Sequence, residues 1–559
     1  MARTRVEEEL LSAKALSGIE LLVWPTLGPE SPSVGESFGA VTRLAEGIGP
    51  AAETVDARVR DSDAEWLLFW DPRQPDPDPE VLSSLVVGRA DAWHSGLIAG
   101  TGGLPEEHDY IHPTWPLTVD PDRSTEAASW RLTLGALLVR RSVLAALGGL
   151  DRAFEGATGA GLELGRRLID RGAIIEYTPR LAPSVPRIDP LTERDRFVFL
   201  AREFSSKWVR YAAVRRGLAT RRPFAVGRAL REAERVCGSS PRPGGGRVYE
   251  RPPVNVPSDP SVSIVLPTLG RYELLRPVLE QIRRQTVPPI EVVVTDQNDP
   301  SLRDEAVYRE FDDLNLRVIF QEEKGQWLAR NAAVKVCRGE WIAFIDDDSE
   351  VGEDFVEQHL EGLARYRADL STGASLAVIG APVPDNYSFF RVADQWDSGN
   401  GMCRRDLFER FGLFDQQFDR QRRGDAEFGL RVQLGGGLVI HNPHAVRVHL
   451  KAQEGGLRAF GSLDGFRQRG RTSPLPLPSV VYYLKRYHTR RQLREDILIG
   501  VVQAIIPYEL KRRATPAQWA RFALAELIHV PSTVRRVRAS LSIAEGMAAK
   551  GPSIPRLDD

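Results

Sequence analysis

The chain has 559 residues, too many for one hydrophobic core, so its length predicts two to four domains. With 42% hydrophobic and 27% charged residues it has an ordinary globular composition, and a formal net charge of −2 excludes a global attraction to nucleic acid. Its three cysteines, Cys237, Cys337 and Cys403, lie far apart, which argues against a disulfide framework or a zinc site and fits a reducing compartment.

The two ends of the chain carry no clear membrane signal. The first residues, MARTRVEEELLSAKALSG, contain no continuous apolar stretch of the signal-peptide type. The longest apolar run near the other end, ILIGVVQAII at 497–506, is much shorter than the ~20 residues that a spanning helix needs. We therefore predict a cytoplasmic protein, for which a peripheral contact with the inner face of the cell membrane stays open.

Two stretches rich in proline divide the chain. Residues 241–260 read PRPGGGRVYERPPVNVPSDP and have neither a helical nor a strand period, and residues 471–479 read RTSPLPLPS. We predict a first α/β domain at 1–195, a helical segment and linker at 196–260, a second domain at 261–455, and a helical C-terminal region at 456–559.

In the second domain, strand and helix patterns alternate. SVSIVLP, IEVVVTD and EWIAFIDDD predict buried strands, and YELLRPVLEQIRRQ and QWLARNAAVKVCRG predict the helices between them. Pro277 in the first helix is tolerable only near a first turn. The β-α-β-α-β order predicts a mostly parallel, doubly wound sheet, with ligands at the carboxyl ends of its strands. Asp296 and the triplet at 346–348 follow two of these strands.

The C-terminal region is mostly helical in pattern. WARFALAELIHV carries an apolar stripe, and VRRVRAS carries positive charge. Helices packed on the second domain would explain this pattern, and so would docking on a membrane surface or on a lipid-linked acceptor.

The sequence contains a degraded internal repeat. Pro-Thr-Leu-Gly occurs at 25–28 and again at 267–270, and longer segments align further on without a gap. The offset of 264 holds for four pairs of positions, Arg140/Arg404, Asp151/Asp415, Arg167/Arg431 and Pro179/Pro443. An ordered set of matches at constant spacing indicates two copies of one fold.

The copies differ in their acidic residues. The second copy reads Asp-Asp-Asp at 346–348, where the first reads Asp71-Pro72-Arg73, and Asp425 aligns with Gly161. An arginine in place of a metal ligand repels a divalent cation. We therefore predict that the first copy is catalytically inactive, and that it braces the second copy or holds part of a growing polymer.

The triplet at 346–348 predicts a cation site, because three consecutive carboxylates after an apolar strand repel one another unless a cation neutralises them. Mg²⁺ or Mn²⁺ are the natural partners, and such ions are typically shared with substrate phosphates.

Six segments in order resemble the inverting family 2 glycosyltransferases of GT-A fold. They are SIVLPTLGR, IEVVVTDQND, ARNAAVKVCRGEWIAFIDDDSE, GNGMCRRDLFERFGLFDQQF, RRGDAEFGLR and NPHAVRVHL. The resemblance covers about 262–450 closely and the first copy in degraded form.

The resemblance implies a role for each matching residue. A nucleotide-sugar donor would contact six of them, with uracil as the usual base: Pro267, Thr268, Asp296, Arg330, Asp346 and Asp347. Asp348 would hold the metal that bridges the diphosphate, and His449 matches a histidine that completes the metal site in some relatives. Asp425 would be the general base, and Trp396 and Asn400 are candidate acceptor contacts.

Several of these assignments have alternatives. Glu427 competes with Asp425 as the base, although Glu163 aligns with Glu427 in the first copy and favours a structural role. His449 would serve equally as an ordinary polar contact, and Trp396 equally as a core aromatic residue.

These features predict a metal-dependent transfer of sugar from a nucleotide-sugar, with a UDP-sugar as the expected donor, to a hydroxyl of a glycan or lipid-linked acceptor. Family relatives build surface polysaccharides, so a cell-envelope role is expected by association. A sugar-nucleotide pyrophosphorylase would need a Gly-rich basic loop after the first strand, and PTLGRYELL is not one. A carbohydrate-binding scaffold fits the first copy but gives no reason to keep the acids of the second.

Overall fold

The computed structural model describes residues 17–25, 38, 40–96, 104–182, 189–256, 258–376, 381–450, 473–506, 510 and 515–558. They form two α/β domains and a helical C-terminal region, which confirms the predicted fold class. Most of the first Pro-Thr-Leu-Gly segment lies outside the described residues.

The first domain is built on a seven-stranded sheet. Its strands are β1 (Ile19–Val23), β2 (Ala40–Arg43), β3 (Trp66–Trp70), β4 (Ala92–His94), β5 (Ala127–Ala128), β6 (Ala136–Arg140) and β7 (Ile175–Tyr177). Its helices are α1 (Ile48–Asp61), α2 (Pro79–Val86), α3 (Arg141–Leu147) and α4 (Ala157–Asp170), followed by α5 (Glu193–Glu203), α6 (Ser206–Thr220) and α7 (Pro223–Ser239).

The second domain has a nine-stranded sheet. Its strands are β8 (Val262–Thr268), β9 (Glu291–Asp296), β10 (Leu316–Phe320), β11 (Trp341–Ile345), β12 (Ser349–Val351), β13 (Leu370–Leu376), β14 (Arg391–Val392), β15 (Asn400–Arg404) and β16 (Val439–His449). Its helices are α8 (Tyr272–Arg283), α9 (Ala306–Arg309), α10 (Gln326–Val336), α11 (Phe355–Tyr366), α12 (Asp406–Phe411) and α13 (Gly424–Leu434). The C-terminal helices are α14 (Pro478–Tyr487), α15 (Arg490–Ile505), α16 (Pro516–Leu527) and α17 (Val530–Lys550).

The predicted strands of the second domain form where the apolar runs place them. β9 is buried along its whole length, as expected of a strand covered on both faces. Pro277 lies inside α8, beyond the first turn where the sequence pattern favoured it. Pro277 is exposed, and so is Glu273, the residue whose carbonyl group the proline leaves without a helical donor.

The two sheets share one strand order. It runs β2-β1-β3-β6-β4-β7-β5 in the first domain and β9-β8-β11-β15-β13-β16-β14 in the second. The second sheet has two further strands, β10 beside β9 and β12 beside β16. The first three strands are parallel in each sheet, and β6 and β15 run antiparallel to both of their neighbours. The parallel side carries the predicted strands, and the rest of each sheet is mixed.

The shared scaffold extends to individual hydrogen bonds. Arg167 in α4 pairs with Glu163 and donates to the carbonyl groups of residues 147, 148 and 149. Arg431 in α13 pairs with Glu427 and donates to the carbonyl groups of residues 411, 412 and 413, each shifted by 264. Buried arginines that satisfy several carbonyl groups fix loop geometry, which explains why these residues persist in both copies.

The domains pack as a pseudo-two-fold pair. Helix α4 contacts β14 of the second domain, and α13 contacts β5 of the first. A Cβ atom on Gly172 would lie 2.8 Å from the Phe390 carbonyl oxygen, and one on Gly436 would lie 2.8 Å from that of Glu126. Both glycines have positive φ angles, and both pairs are related by the offset of 264 (436 − 172 and 390 − 126). A shared apolar core and the ion pair Arg89–Asp369, at 2.8 Å, join the domains.

The C-terminal region is partly integrated into the second domain. Side chains of α14 belong to the apolar cluster that covers α10 and α13, and Ala544 and Met547 of α17 join them. Arg486 of α14 pairs with Asp415, just as Arg202 of α5 pairs with Asp151 in the first domain. Helix α14 is therefore the second domain's equivalent of α5.

Candidate active site

Two strands bring the predicted metal ligands together. Asp346 and Asp348 follow β11, and β12 then pairs antiparallel with the end of β16, so that Ser349 lies opposite His449. The backbone N–H of Leu450 donates to the Asp348 carbonyl oxygen at 2.9 Å and closes the pair. Ligand atoms of Asp346, Asp348 and His449 lie within 4.8 Å of one another. The described part of the first sheet has no strand equivalent to β12.

This group of donors fits a divalent cation. Two carboxylates and an imidazole are a donor set that Mn²⁺ accepts, and the carboxylates suit Mg²⁺. His449 Nε2 lies 3.4 Å from Asp348 Oδ1. Burial is the largest single influence on the pKa of Asp348 and would raise it, but the hydrogen bond from His449 and the nearby guanidinium group of Arg271 together lower the pKa below its usual value.

Three arginines surround these acids. Arg330 of α10 and Arg447 of β16 both bind the Asp346 carboxylate, the latter at 3.0 Å. Burial alone would raise the pKa of Asp346, and the two guanidinium groups together lower it. Arg271 lies 3.0 Å from Asp347 and 3.4 Å from Asp348. Guanidinium groups at a cation site are suited to bind the oxygens of a diphosphate.

Arg271 and Arg447 were missed by the sequence reasoning. Each has a signal in the sequence, because Arg271 directly follows the second Pro-Thr-Leu-Gly and Arg447 precedes His449 by two residues. Alternate residues of a strand share a face, so Arg447 faces the same side of β16 as His449.

The end of β8 lies against the acid triplet. Thr268 donates its hydroxyl hydrogen to Asp347 Oδ2 at 2.9 Å, and Pro267 precedes it at partial exposure. Burial raises the pKa of Asp347 to about 6. Pro267, Thr268 and Asp347 therefore lie beside the metal ligands, and their contact with a nucleotide remains a prediction.

Asp296 is already fully hydrogen bonded. Its Oδ2 accepts from the hydroxyl groups of Tyr272 at 2.5 Å and Tyr308 at 2.8 Å. Its Oδ1 accepts from the backbone N–H and the side chain of Asn298, both at 2.8 Å. In this structure the carboxylate fixes the loop after β9, and a hydrogen bond to a base stays a prediction.

Asp425 lies in the first turn of α13, is partly buried, and is not one of the three clustered ligands. Burial and the nearby Asp397 carboxylate raise its pKa to about 6, although the backbone N–H of Ala426 donates to it at 2.8 Å. A carboxylate with a raised pKa is suited to take a proton from a hydroxyl group.

Glu427, the alternative base, is instead bound by several side chains. It is fully buried, accepts from Arg431 at 3.0 Å, from Tyr487 at 2.7 Å, and pairs with Arg486 at 3.2 Å. A carboxylate held by three partners in the core supports the fold, and the role of Asp425 as the base remains a prediction.

The structure corrects both acceptor assignments. Trp396 is 0% exposed, donates to the Ser371 carbonyl group at 3.1 Å and packs against Phe344 and Phe414, so its ring offers no face to a sugar. Asn400 is also buried, and its amide group donates to the carbonyl groups of Ala374 and Ala445 on neighbouring strands. Hydrophobic and polar side chains alike can be buried, and the local sequence does not tell which of them distant segments of the chain will cover.

The first domain has an internal neutralising group at the equivalent of the metal site. The Arg73 side chain binds both oxygens of Asp71, with Nε at 2.9 Å and 3.1 Å. A guanidinium group thus lies next to the acid where the second domain has Asp348, as the aligned sequences predict.

Comparison with known proteins gives matches to the second domain and beyond it. A family model described as Glycosyl transferase family 2 matches residues 263–415. The O-antigen biosynthesis protein RfbC of Myxococcus xanthus is 28% identical over 348 residues, which are 56% of this chain and 25% of that protein. The uncharacterized glycosyltransferase YwdF of Bacillus subtilis is 31% identical over 189 residues, which are 31% of this chain and 67% of that protein. The chain thus spans a quarter of the length of RfbC.

Solved structures show more distant matches. TarS 1-349 of S. aureus in complex with UDP-GlcNAc has 17% identity and a TM-score of 0.34, with 51% of this chain and 81% of that chain covered. The mannosyltransferase PcManGT of Pyrobaculum calidifontis, in complex with GDP-Man and Mn²⁺, has 15% identity and a TM-score of 0.34, with coverages of 53% and 89%.

Proposed function

The chain belongs to glycosyl transferase family 2, and we propose that its second domain is a metal-dependent inverting glycosyltransferase. It moves a sugar from a nucleotide-sugar, with a UDP-sugar as the expected donor, to a hydroxyl group of a glycan or lipid-linked acceptor. The observation that carries the proposal is that the candidate metal ligands and the candidate base are different residues. Asp346, Asp348 and His449 form one cluster, and Asp425 lies outside it with a raised pKa.

In the proposed reaction, Asp425 accepts the proton of the acceptor hydroxyl group. The hydroxyl oxygen then forms a bond to the anomeric carbon, from the face opposite the nucleotide. The bond between that carbon and the diphosphate oxygen breaks, and its electron pair leaves with the nucleoside diphosphate. A Mn²⁺ or Mg²⁺ ion held by Asp346, Asp348 and His449 would stabilise the charge of the diphosphate.

The arginines support the same step. Arg330 binds the Asp346 carboxylate, and its positive charge favours the ionised form of both Asp346 and Asp425. Arg271 and Arg447 hold the acid triplet in position. When the donor binds, each guanidinium group can also donate hydrogen bonds to diphosphate oxygens.

The first experiment is a panel of nucleotide-sugars measured by thermal shift, with and without Mn²⁺. We expect at least one of them to raise the melting temperature only when the metal is present, because binding to the folded state alone stabilises it. Slow hydrolysis of the same compound would support a transferase. Sugar binding with no metal dependence would favour the scaffold alternative, and formation of a nucleotide-sugar from a sugar phosphate would favour the pyrophosphorylase.

We also propose a role in surface-polysaccharide synthesis on the cytoplasmic side of the cell membrane. The support is the relative named for O-antigen biosynthesis. None of the described helices is long and apolar enough to cross a bilayer.

A peripheral membrane contact of the C-terminal helices is the corresponding proposal. Leu524, near the end of α16, is 69% exposed, and Ile528, which directly follows α16, is 79% exposed. Arg521 lies on α16, and Arg535 and Arg538 lie on α17. Exposed apolar residues next to arginines favour the surface of an anionic bilayer. We expect the protein to sediment with phosphatidylglycerol vesicles and Leu524→Glu/Ile528→Glu to remain in the supernatant. Equal sedimentation of both proteins would contradict the proposal.

A further inference from the structure

A cavity of about 580 Å³ lies where the two domains and the C-terminal region meet. Its size is within the range of small-molecule sites. The second domain contributes the end of β13 and the segment around Arg391 and Asp394, and α14 contributes Tyr483. The first domain contributes His112, Thr114, Trp115 and Pro116, so the cavity is incomplete without the first domain.

The wall from the first domain is held firmly. Trp115 donates its indole hydrogen to Asp394 at 3.3 Å, and Thr114 donates to Asp496 of α15 at 2.6 Å. The ring of His112 stacks on Trp115 with centroids 5.8 Å apart and an interplanar angle of 17°. The hydrogen-bond acceptors of Trp115 and Thr114 therefore lie in the second domain and in the C-terminal region, respectively. His112 is held in place by its stacking on Trp115.

Two residues that line this cavity each have a buried polar atom with no protein partner. The hydroxyl group of Tyr483 and Nε of Arg391 make no hydrogen bond, although both side chains are buried. Buried polar groups are nearly always satisfied, so each needs a partner that a ligand rich in hydroxyl groups would supply. Tyr387, 39% exposed at the rim, adds an aromatic surface of the kind that packs on sugar rings.

The equivalent space of the first domain is filled. Trp130 aligns with Asp394 (394 − 130 = 264), and its ring stacks on Phe199 with centroids 6.2 Å apart and an interplanar angle of 4°. Phe199 precedes Arg202 by three residues, as Tyr483 precedes Arg486, and the two arginines bind equivalent aspartates. The copy that lost the acids has thus packed two aromatic rings where the other copy has an open space and an unpaired hydroxyl group.

Two residues that line the cavity also act on the charge of the proposed base. Asp397 and Arg423 line it, and Asp425 follows Arg423 by two residues at the start of α13. We infer that this cavity is the acceptor site, that it takes a carbohydrate, and that the first domain forms one of its walls through His112 and Trp115. The inference rests on the proposed transferase function and adds to it the location of the acceptor.

Binding of p-nitrophenyl glycosides of glucose, galactose, N-acetylglucosamine and rhamnose tests the inference, measured by NMR on the full chain with Mn²⁺ and UDP. We expect at least one glycoside to bind. His112→Ala and Tyr483→Phe should each weaken it about tenfold, since each removes one hydrogen-bonding group. Tyr483→Phe restores the residue that the first domain has at this position, so the fold should accept it. His444→Ala, an exposed histidine outside the cavity, is the matched control.

The outcomes separate the inference from the proposed function. Loss of glycoside affinity in both variants, with the UDP- and Mn²⁺-dependent thermal shift retained, supports the acceptor site. Equal affinity in the wild type and both variants overturns it, and so does the absence of glycoside binding while UDP and Mn²⁺ still stabilise the protein. A wild-type protein that no nucleotide-sugar of the panel stabilises in the presence of Mn²⁺ contradicts the transferase itself.

Discussion

Asp425→Asn lowers the rate of sugar transfer by about 10²- to 10⁴-fold, the usual contribution of a general base. The amide has nearly the shape of the carboxylate but cannot accept the proton of the acceptor hydroxyl group. Asp425 lies outside the group of metal ligands, so the substitution leaves the donor-dependent thermal shift in place. Initial rates with saturating donor, together with the thermal shift, check both parts of the expectation.

Glu427→Gln is the matched control, since it makes the same chemical change two residues away. Its partners Arg431 and Arg486 would lose a buried counter-charge, so we expect a loss of stability of about 3 kcal/mol in chemical denaturation, as when a buried ion pair is broken. The folded fraction should keep its transfer rate. Normal turnover of Asp425→Asn would exclude Asp425 as the base, and a Glu427→Gln variant that is stable but inactive would point to Glu427.

The same residue sets the acid limb of the pH profile. Burial and Asp397 raise the pKa of Asp425 to about 6, and only the deprotonated form can act as a base. The transfer rate of the wild type therefore falls as the pH decreases through about 6. The residual rate of Asp425→Asn should lack this limb, because the variant has no carboxyl group to protonate at this position.

The sequence predicted the parts of the fold that depend on local pattern. β8, β9 and β11 form where continuous apolar runs occur, because strands covered on both faces need apolar residues at every position. The acids at 346–348 follow from the same pattern, since they begin where β11 ends. That His449 would reach Asp348 also depends on β12, a strand of three residues that carries too little pattern to predict.

What the sequence did not predict depends on packing between distant segments. Trp396 and Asn400 looked like acceptor contacts, yet the first is enclosed by aromatic rings and the second is bonded to neighbouring strands. Arg447 lies 101 positions from Asp346 in the chain, and its hydrogen bond to that residue exists only because β16 passes the end of β11. Likewise, the offset of 264 indicated two copies, but not that Gly172 and Gly436 would each contact the other domain.

Asp348→Ala abolishes the Mn²⁺-dependent stabilisation by the nucleotide-sugar, with a fall in donor affinity of about 10²-fold or more. The substitution removes one of two carboxylates from a group of three ligands and leaves Asp346, whose charge is already shared with Arg330 and Arg447. His449→Ala should weaken the stabilisation less, since a neutral imidazole contributes less charge to a cation than a carboxylate does.

The first domain provides the matched control for this experiment. Asp71 occupies the position equivalent to Asp346, but its carboxylate is bound by Arg73, so Asp71→Ala should leave the Mn²⁺-dependent shift unchanged. Two further results would each contradict the expected site. If Asp348→Ala keeps a full metal-dependent shift, the cation is bound elsewhere. If Asp71→Ala loses the shift, the first domain takes part in donor binding. The positive charge of Arg73 would then not keep a metal ion away from Asp71.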